Sequence, residues 1–279
     1  MFSVAVTGAM IVKITSTPLL EKQYQAFVVQ QETPVEQRTK LTGKHLNHSI
    51  ASLVIIKQAL HHGGLDIVYD FVHAPNVKRA QWLLDKGLAL MASNTPFSIR
   101  INESVFKSSA IIAPRSLIRG IYGLASNKAL MKITSLKELQ SFSAVTNSTW
   151  LVDIETLQDI KLKSLSLTPL YSSMLQLINH RGIDFTLLKV GANVDKIATK
   201  QGVKLAMVPG IGIELMGTRH FIVSKKHPDG EKVYKALEKG LLVLHEKGLI
   251  IQYYQDVGTI PVNGSNIKIL NAINPKPDS

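Results

Sequence analysis

The chain of 279 residues contains no cysteine. That single absence removes thiol nucleophiles, iron–sulfur clusters, Cys-ligated zinc and redox motifs, and with them the disulfide-stapled secreted class. Nowhere do eighteen apolar residues follow one another, so no membrane-spanning helix is expected. Glycine and proline, at 18 and 11, are too few for a collagen-like or low-complexity chain. Acidic side chains are scarce, 20 against 32 basic, which leaves a net charge of +12. Such a field favours anionic partners. The basic residues are nevertheless spread along the chain, and the densest run is Lys225-Lys226-His227. No polybasic arm, recognition-helix pattern or aromatic-plus-basic strand accompanies them, so nucleic acid is not an expected partner. What is present, 45% hydrophobic and 19% charged residues, is the composition of a globular protein. The length allows one large domain or two medium ones.

The beginning of the chain admits three readings. Phe2 to Val12 is apolar and small, like the core of an export signal, but no basic residues precede it and Lys13 follows it. It is a signal whose true start was missed, a degenerate signal, or a first β-strand.

Beyond it, periodicity and caps mark an alternation of strands and helices. Ala26 to Val29 is a β-prone run before the turn at Thr33-Pro34. Asn47 to His62 has helical spacing and ends at Gly63-Gly64, Leu65 to Val72 alternates as a strand, and Pro75-Asn76 opens a helix over 77–86 closed by Gly87. Leu88 to Ala92 is a buried-type strand. The alternation then restarts near residue 114. Strands are expected at Ser108 to Ala113, Gly120 to Leu124, Phe142 to Thr146 and Ile183 to Val190, with helices at Thr134 to Leu139, Leu151 to Ile160 and Leu170 to His180. Ser135 and Glu138 have the spacing of a capping box. The tail holds a strand, His220 to Ser224, a strongly amphipathic helix from Glu231 to Glu246 capped by Gly248, and a short helix from Leu249 to Asp256. Strand–helix alternation implies parallel βαβ units with helices on both faces. No internal repeat is visible.

Four stretches, read in order, resemble the type II periplasmic solute-binding proteins, in the broad extracellular solute-binding family 3 group. They are His73 to Arg79 with Lys86-Gly87-Leu88, Phe142 to Thr156, Met174 to Phe185, and Arg219 to Gly248. The resemblance covers roughly two thirds of the chain. It implies an α/β fold of two lobes, lobe 2 inserted into lobe 1, with mixed sheets flanked by helices. Lobe 1 would be 1–118 plus 218–279 and lobe 2 would be 119–217, with hinge crossovers near 112–122 and 215–223. Ligand would lie between the lobes, which close by hinge bending.

Amino-acid-binding members carry Thr-x-x-Arg after a lobe-1 strand. Here the stretch is Asn94-Thr95-Pro96-Phe97-Ser98-Ile99-Arg100, which makes Arg100 the stand-in for the carboxylate clamp. Where those members place an Asp for the α-amino group, this chain offers Lys189. The resemblance therefore does not extend to the α-amino-acid clamp, and a small polar or anionic ligand is expected. Asn147-Ser148-Thr149-Trp150 sits between a strand and a helix start, where backbone N–H groups and the helix dipole suit an anion and Trp150 can cover a ring; its bland reading is a helix cap and a core tryptophan. Asn94, Thr95, Arg100, Asn147, Ser148, Thr149, Trp150, Arg181 and Lys189 are the candidate ligand-binding residues, with Arg79 a further cation near the expected cleft. Arg181 also fits a turn held by pairing with Asp184.

Neither His45-x-x-His48 nor His61-His62 has the partners of a zinc site, so no metal or other cofactor is expected. No Gly-x-Ser-x-Gly, His-Glu-x-x-His, P-loop or dinucleotide fingerprint occurs. The expectation is a monomeric, non-enzymatic binding protein of the periplasm that serves a membrane transporter, such as an ABC transporter, or a sensor. An enzyme on the same fold and the ligand-sensing part of a regulator are the alternatives.

Overall fold

The structure is a computed structural model and describes residues 8–30, 33–180, 182–190, 203, 205–260 and 267–272. The chain divides into two compact units, Met1–Ala113 with Thr218–Ile260, and Pro114–Gly217 with Pro261–Ser279.

In the first unit the organising strand is β1 (Met10–Ser16), whose Val12 and Ile14 are fully buried. It runs parallel to β2 (Ile67–His73), from Met10↔Ile67 to Ser16↔His73, and to β3 (Met91–Ala92) on its other side. β11 (Ile222–Ser224) lies antiparallel between β3 and β4 (Val105–Lys107), giving the order β2-β1-β3-β11-β4. The expected strand at Ser108 to Ala113 does not form. Its backbone is held singly instead, Ser108 N–H to the Phe221 carbonyl and Ile111 N–H to the Arg219 carbonyl, with only a lone bridge between Ile112 and Arg219.

Helix α1 (Pro18–Val29) replaces the expected β-prone run at Ala26 to Val29. Thr17 caps it by accepting the Leu20 N–H at 3.2 Å, and Pro18 sits where a missing N–H costs nothing. Tyr24 and Phe27, one turn apart, supply the buried face, while Val29 projects from the last turn. This start signal and face outweigh the β-preference of two adjacent valines.

Helix α2 (His48–His62) is buried round most of its circumference, with Ile50 to Ile56 and Gln58 to Leu60 all buried and Lys57 reaching out to Glu36. A helix with so wide an apolar face must be covered by neighbours over most of its surface. Part of the cover is α7 (Gly230–Glu246), which presents Val233, Ala236, Leu237, Leu241 and Leu244 on one face. The two helices approach at backbone contact. A Cβ added at Gly240 would lie 1.7 Å from the Ala59 carbonyl oxygen, and one at Gly63 would lie 2.0 Å from that of Ala236. Helix α8 (Leu249–Asp256) contributes the buried Tyr253 and Tyr254. Helix α3 (Val77–Asp85) starts at Asn76, whose Oδ1 accepts the Arg79 N–H, and a left-handed Gly87 ends its turn.

The second unit is built around β5 (Leu117–Leu124), antiparallel to β8 (Phe185–Lys189), β9 (Leu205–Met207) and β10 (Ile211–Leu215). β6 (Ser143–Asn147) runs parallel to β8 and to the edge strand β7 (Ser164–Thr168). Side chains alternate between two cores. Ile121, Ala144, Phe185 and Leu187 pack on one face of the sheet with Leu139 and Leu157, while Tyr122, Val145 and Leu188 pack on the other with Met174 and Ile178. The flanking helices are α4 (Leu136–Leu139), with the expected Ser135–Glu138 capping box, α5 (Leu151–Ile160) and α6 (Tyr171–His180).

The end of the chain corrects one expectation. The sequence reading puts 218–279 together in the first lobe, but β12 (Lys268–Ile269) runs parallel to β10 in the second unit. Asn271 continues the edge with its side chain, accepting the Glu214 N–H at 2.8 Å and donating to the Glu214 carbonyl at 2.9 Å. An amide side chain here does the work of a strand backbone, which residue-type patterns do not reveal.

Candidate functional site

The carboxyl ends of the parallel strands in the first unit open onto a cavity of about 460 Å³. Crevices at strand carboxyl ends are the usual binding places of open α/β sheets. β1 delivers Thr15, Ser16 and Thr17, β2 leads to Ala74 and Asn76, and β3 leads to Ser93 and Asn94. The first turns of α1, α2 and α3 complete the wall through Leu19, Asn47, Ser49 and Val77. Three helix N-termini thus border one concavity, each adding positive potential from its dipole. None of the described residues lining it is Lys, Arg, Asp or Glu.

The three caps differ in what they hold. Thr17 Oγ1 accepts from Leu20, Asn47 Oδ1 from both Ser49 and Ile50 at 2.9 and 3.1 Å, and Asn76 Oδ1 from Arg79 at 2.9 Å. Asn47 Nδ2 donates to Gln23 Oε1 at 3.2 Å, joining the α1 and α2 starts.

Behind the cavity lies a buried polar chain. His48, which lines it, stacks on Tyr254 with ring centroids 4.9 Å apart and meets Thr95 Oγ1 at 2.6 Å. The Arg219 guanidinium donates to the Thr95 carbonyl at 2.8 Å and lies over the Phe97 ring at 4.1 Å. Tyr254 shares a hydrogen bond with Ser52 at 3.1 Å. Burial pushes the Tyr254 phenol well above its ordinary value, against smaller opposing effects of Ser52 and the Arg219 charge, so it remains a neutral hydroxyl.

Of the expected ligand residues, Asn94 lines this cavity and Thr95 sits directly behind it as the partner of His48. Arg100 is exposed, at the end of the 3₁₀ turn Ser98–Arg100, and is not part of the lining. Arg219, not Arg100, is the guanidinium tied to Thr95; its place beside Thr95 depends on a bridge between residues 97 and 219, far apart in sequence. Arg79 is exposed and stacks over Trp82 at 4.0 Å.

The remaining candidates belong to the second unit. Asn147 ends β6, where its Oδ1 accepts both the Thr149 N–H and hydroxyl at 2.9 and 2.7 Å and its Nδ2 donates to the Pro169 carbonyl. Ser148 and Thr149 are exposed at the start of α5, while the half-buried Trp150 packs on the core with Met174 and Leu175. No side chain caps α5. Lys189 is exposed at the end of β8 opposite Arg119, whose Nε lies 3.7 Å from the buried Asp153. Arg181 lies outside the described residues. Asp184 is structural: its carboxylate accepts from Ser143 N–H and Oγ at 2.8 and 2.7 Å and from Asn127 at 3.0 Å.

Ser16, Thr17, Asn47, Asn76 and Ser93 are not among the residues expected from the sequence, because they come from separate strand ends and helix starts that only the fold brings to one cavity. The available signal was the recurrence of a strand ending at a Ser, Thr or Asn just before a helix. Among the described residues no group of three His, Asp or Glu side chains is placed to hold a metal ion. His61 instead pairs with Asp66 at 2.6 Å.

Comparison with known proteins places the fold. No family model matches the chain, and no curated protein matches it by sequence. Among solved structures it is similar to a probable amino-acid ABC transporter extracellular-binding protein, ytmK, from Bacillus subtilis, with a TM-score of 0.55 at 11% identity over 89% of this chain and 97% of that one. It is likewise similar to the periplasmic VFT2 domain of BvgS from Bordetella pertussis (TM-score 0.52, 12% identity, 88% and 92% covered). Substrate binding domain 2 of GlnP from Lactococcus lactis, in its open conformation, matches at a TM-score of 0.50 and 16% identity over 91% and 97%. The fold is the two-unit α/β architecture of type II solute-binding proteins, with two mixed sheets flanked by helices.

Proposed function

We propose that this chain is a solute-binding protein that captures a small polar or anionic molecule for a transporter or a sensor. The observation that carries the reading is the cavity at the carboxyl ends of β1, β2 and β3, bordered by three helix starts and lined by hydroxyls, amides and the His48 imidazole among apolar side chains such as Leu19, Leu20 and Val77. Its volume of about 460 Å³ falls in the range of small-molecule sites. Among the described lining residues His48 is the one titratable side chain, with no carboxylate or second base beside it, which favours a binder over an acid–base enzyme. The similar folds come from an ABC transporter extracellular-binding protein, a substrate binding domain and a periplasmic domain, which supports delivery to a transporter or sensor from the periplasm or cell exterior.

In this reading hinge bending near 112–122 and 215–223 closes the monomer on its solute, and the exposed Ser148, Thr149 and Lys189 are the remaining candidates for further contacts. A thermal-shift screen of amino acids, dicarboxylates, phosphorylated compounds, sugars and oligopeptides tests it. A ligand present at 100 times its Kd adds about 2.7 kcal/mol of stability. Small-angle scattering then reports a smaller radius of gyration with that ligand. A screen in which no compound raises the melting temperature refutes the reading.

A further inference from the structure

Away from the cavity, two buried donors stand without an acceptor where helix α1 meets the 3₁₀ turn Val35–Gln37 and Arg38 after it. Tyr24 and Arg38 are each only 6% exposed, and Tyr24 Oη and Arg38 Nη1 are fully buried and bond to no described residue. They share one neighbourhood. The Arg38 guanidinium lies over the Phe27 ring at 4.5 Å, and Phe27 is one turn beyond Tyr24 on the buried face of α1. The other polar groups around them are engaged. Arg38 Nε donates to the Thr33 carbonyl at 2.9 Å, and Gln58 Nε2 donates to the Val35 and Arg38 carbonyls at 2.7 and 2.9 Å. The Tyr253 hydroxyl reaches the Arg38 carbonyl and Gln58 Oε1, and that of Tyr69 donates to the Leu53 carbonyl at 2.6 Å. Arg38 makes no ion pair with a described residue: Glu36, the carboxylate whose charge acts on it, is 3.1 Å from Lys57. A guanidinium buried without a partnered counter-charge is costly.

Donors alone select their guest. Burial holds the Tyr24 phenol far above its ordinary value, so it keeps its proton. A bond from Arg38 Nη1 to Tyr24 Oη spends one donor and leaves the phenol's own proton unspent. A water accepts both donors but brings two protons more, and the carbonyls of Thr33, Val35 and Arg38 already hold donors. An anion accepts both, brings none, and offsets the buried charge. We propose that one chloride ion binds between Tyr24 Oη and Arg38 Nη1 and fastens the turn Val35–Gln37 to α1. A monatomic halide is satisfied by two such donors, whereas an oxyanion with three or four oxygens is left short of partners. This site stands apart from the solute-binding reading and holds whether or not that reading does.

The test is thermal melting of the full chain at one ionic strength in sodium chloride, sodium bromide and sodium gluconate, with a crystal grown in bromide to locate the ion by anomalous scattering. Chloride and bromide are expected to raise the melting temperature saturably, by about 3 °C or more once the halide is at ten times its Kd, while gluconate does not. The bromide peak is expected between Tyr24 and Arg38. Tyr24→Phe keeps the ring and loses only a hydroxyl that bonds no described residue. It is expected to melt no lower than the unaltered chain in gluconate, yet to lose the rise in chloride. Arg38→Met is expected to lose that rise as well, and if it does not fold, Tyr24→Phe decides alone. Equal melting in all three salts overturns the proposal, as does a halide rise that survives Tyr24→Phe, or a crystal with no bromide peak at this place.

Discussion

His48 and Thr95 share a hydrogen bond of 2.6 Å between Nε2 and Oγ1, although 46 residues separate them in the chain. His48 faces the cavity; Thr95, 2% exposed, lies behind it and also receives Arg219 through its carbonyl. Thr95 is thus a positioning residue for the imidazole. Replacing it with valine keeps the shape but removes the hydroxyl, leaving a buried polar partner short of a bond. Thr95→Val is expected to cost about 1–3 kcal/mol in urea unfolding. An unchanged midpoint contradicts this role.

The crossing of α2 and α7 makes a sharper forecast. In an exposed helix Gly→Ala would stabilise by about 1 kcal/mol. At Gly240 the added methyl meets the Ala59 carbonyl oxygen at 1.7 Å, so the helices must move apart. Gly240→Ala is expected to lower stability by at least about 1–3 kcal/mol, read as a fall in melting temperature. A rise would mean that the contact is looser than described.

A third prediction concerns pH. His220 is 6% exposed; burial is the main cause that pushes its imidazole below the ordinary 6.5, assisted by Lys107 and opposed by its bond to the Ser108 carbonyl and by Glu238. The unfolded chain therefore takes up this proton before the folded one does. Stability is full above about 6.5 and declines as pH falls from there toward the lower folded value. His220→Gln is expected to flatten that part of the stability–pH curve, and NMR titration of the ring should place its midpoint under that of an exposed histidine.

Asp184 gives a fourth. Its carboxylate holds Ser143 through two hydrogen bonds and Asn127 through a third, joining the starts of β6 and β8. Asp184→Ala leaves the Ser143 N–H without that acceptor and is expected to cost about 2–3 kcal/mol, measured by chemical denaturation. A neutral result would mean that water replaces the carboxylate.

What could be read from the sequence depended on local punctuation. Helix α5 starts and stops where its Asp-containing first turn and apolar spacing indicate, and the Ser135–Glu138 box is present in full. The start of α1 lies in Thr17-Pro18, a cap and a first-turn proline, whereas the expected β-prone run at Ala26 to Val29 rests on the adjacent valines 28 and 29. Ser108 to Ala113 looks like a strand because it is apolar; its hydrogen bonds go singly to residues 219 and 221, more than a hundred positions away. β7 went unread because a five-residue edge strand with serines carries little apolar signal. The site was legible only in part. Asn94 and Thr95 were found through a resemblance, whereas the cavity gathers its wall from four chain segments, and no spacing rule brings Ser16, Asn47, Asn76 and Ser93 together.

The order in which segments join has a consequence for biosynthesis. β1, made first, reaches its complete sheet only when β11 arrives more than two hundred residues later, and β10 gains its partner β12 only from residues 268 and 269. A nascent chain thus leaves the ribosome with both sheets unfinished along one margin. Such margins invite pairing with other chains, so the growing polypeptide is open to wrong association until β11 and then β12 have joined their sheets.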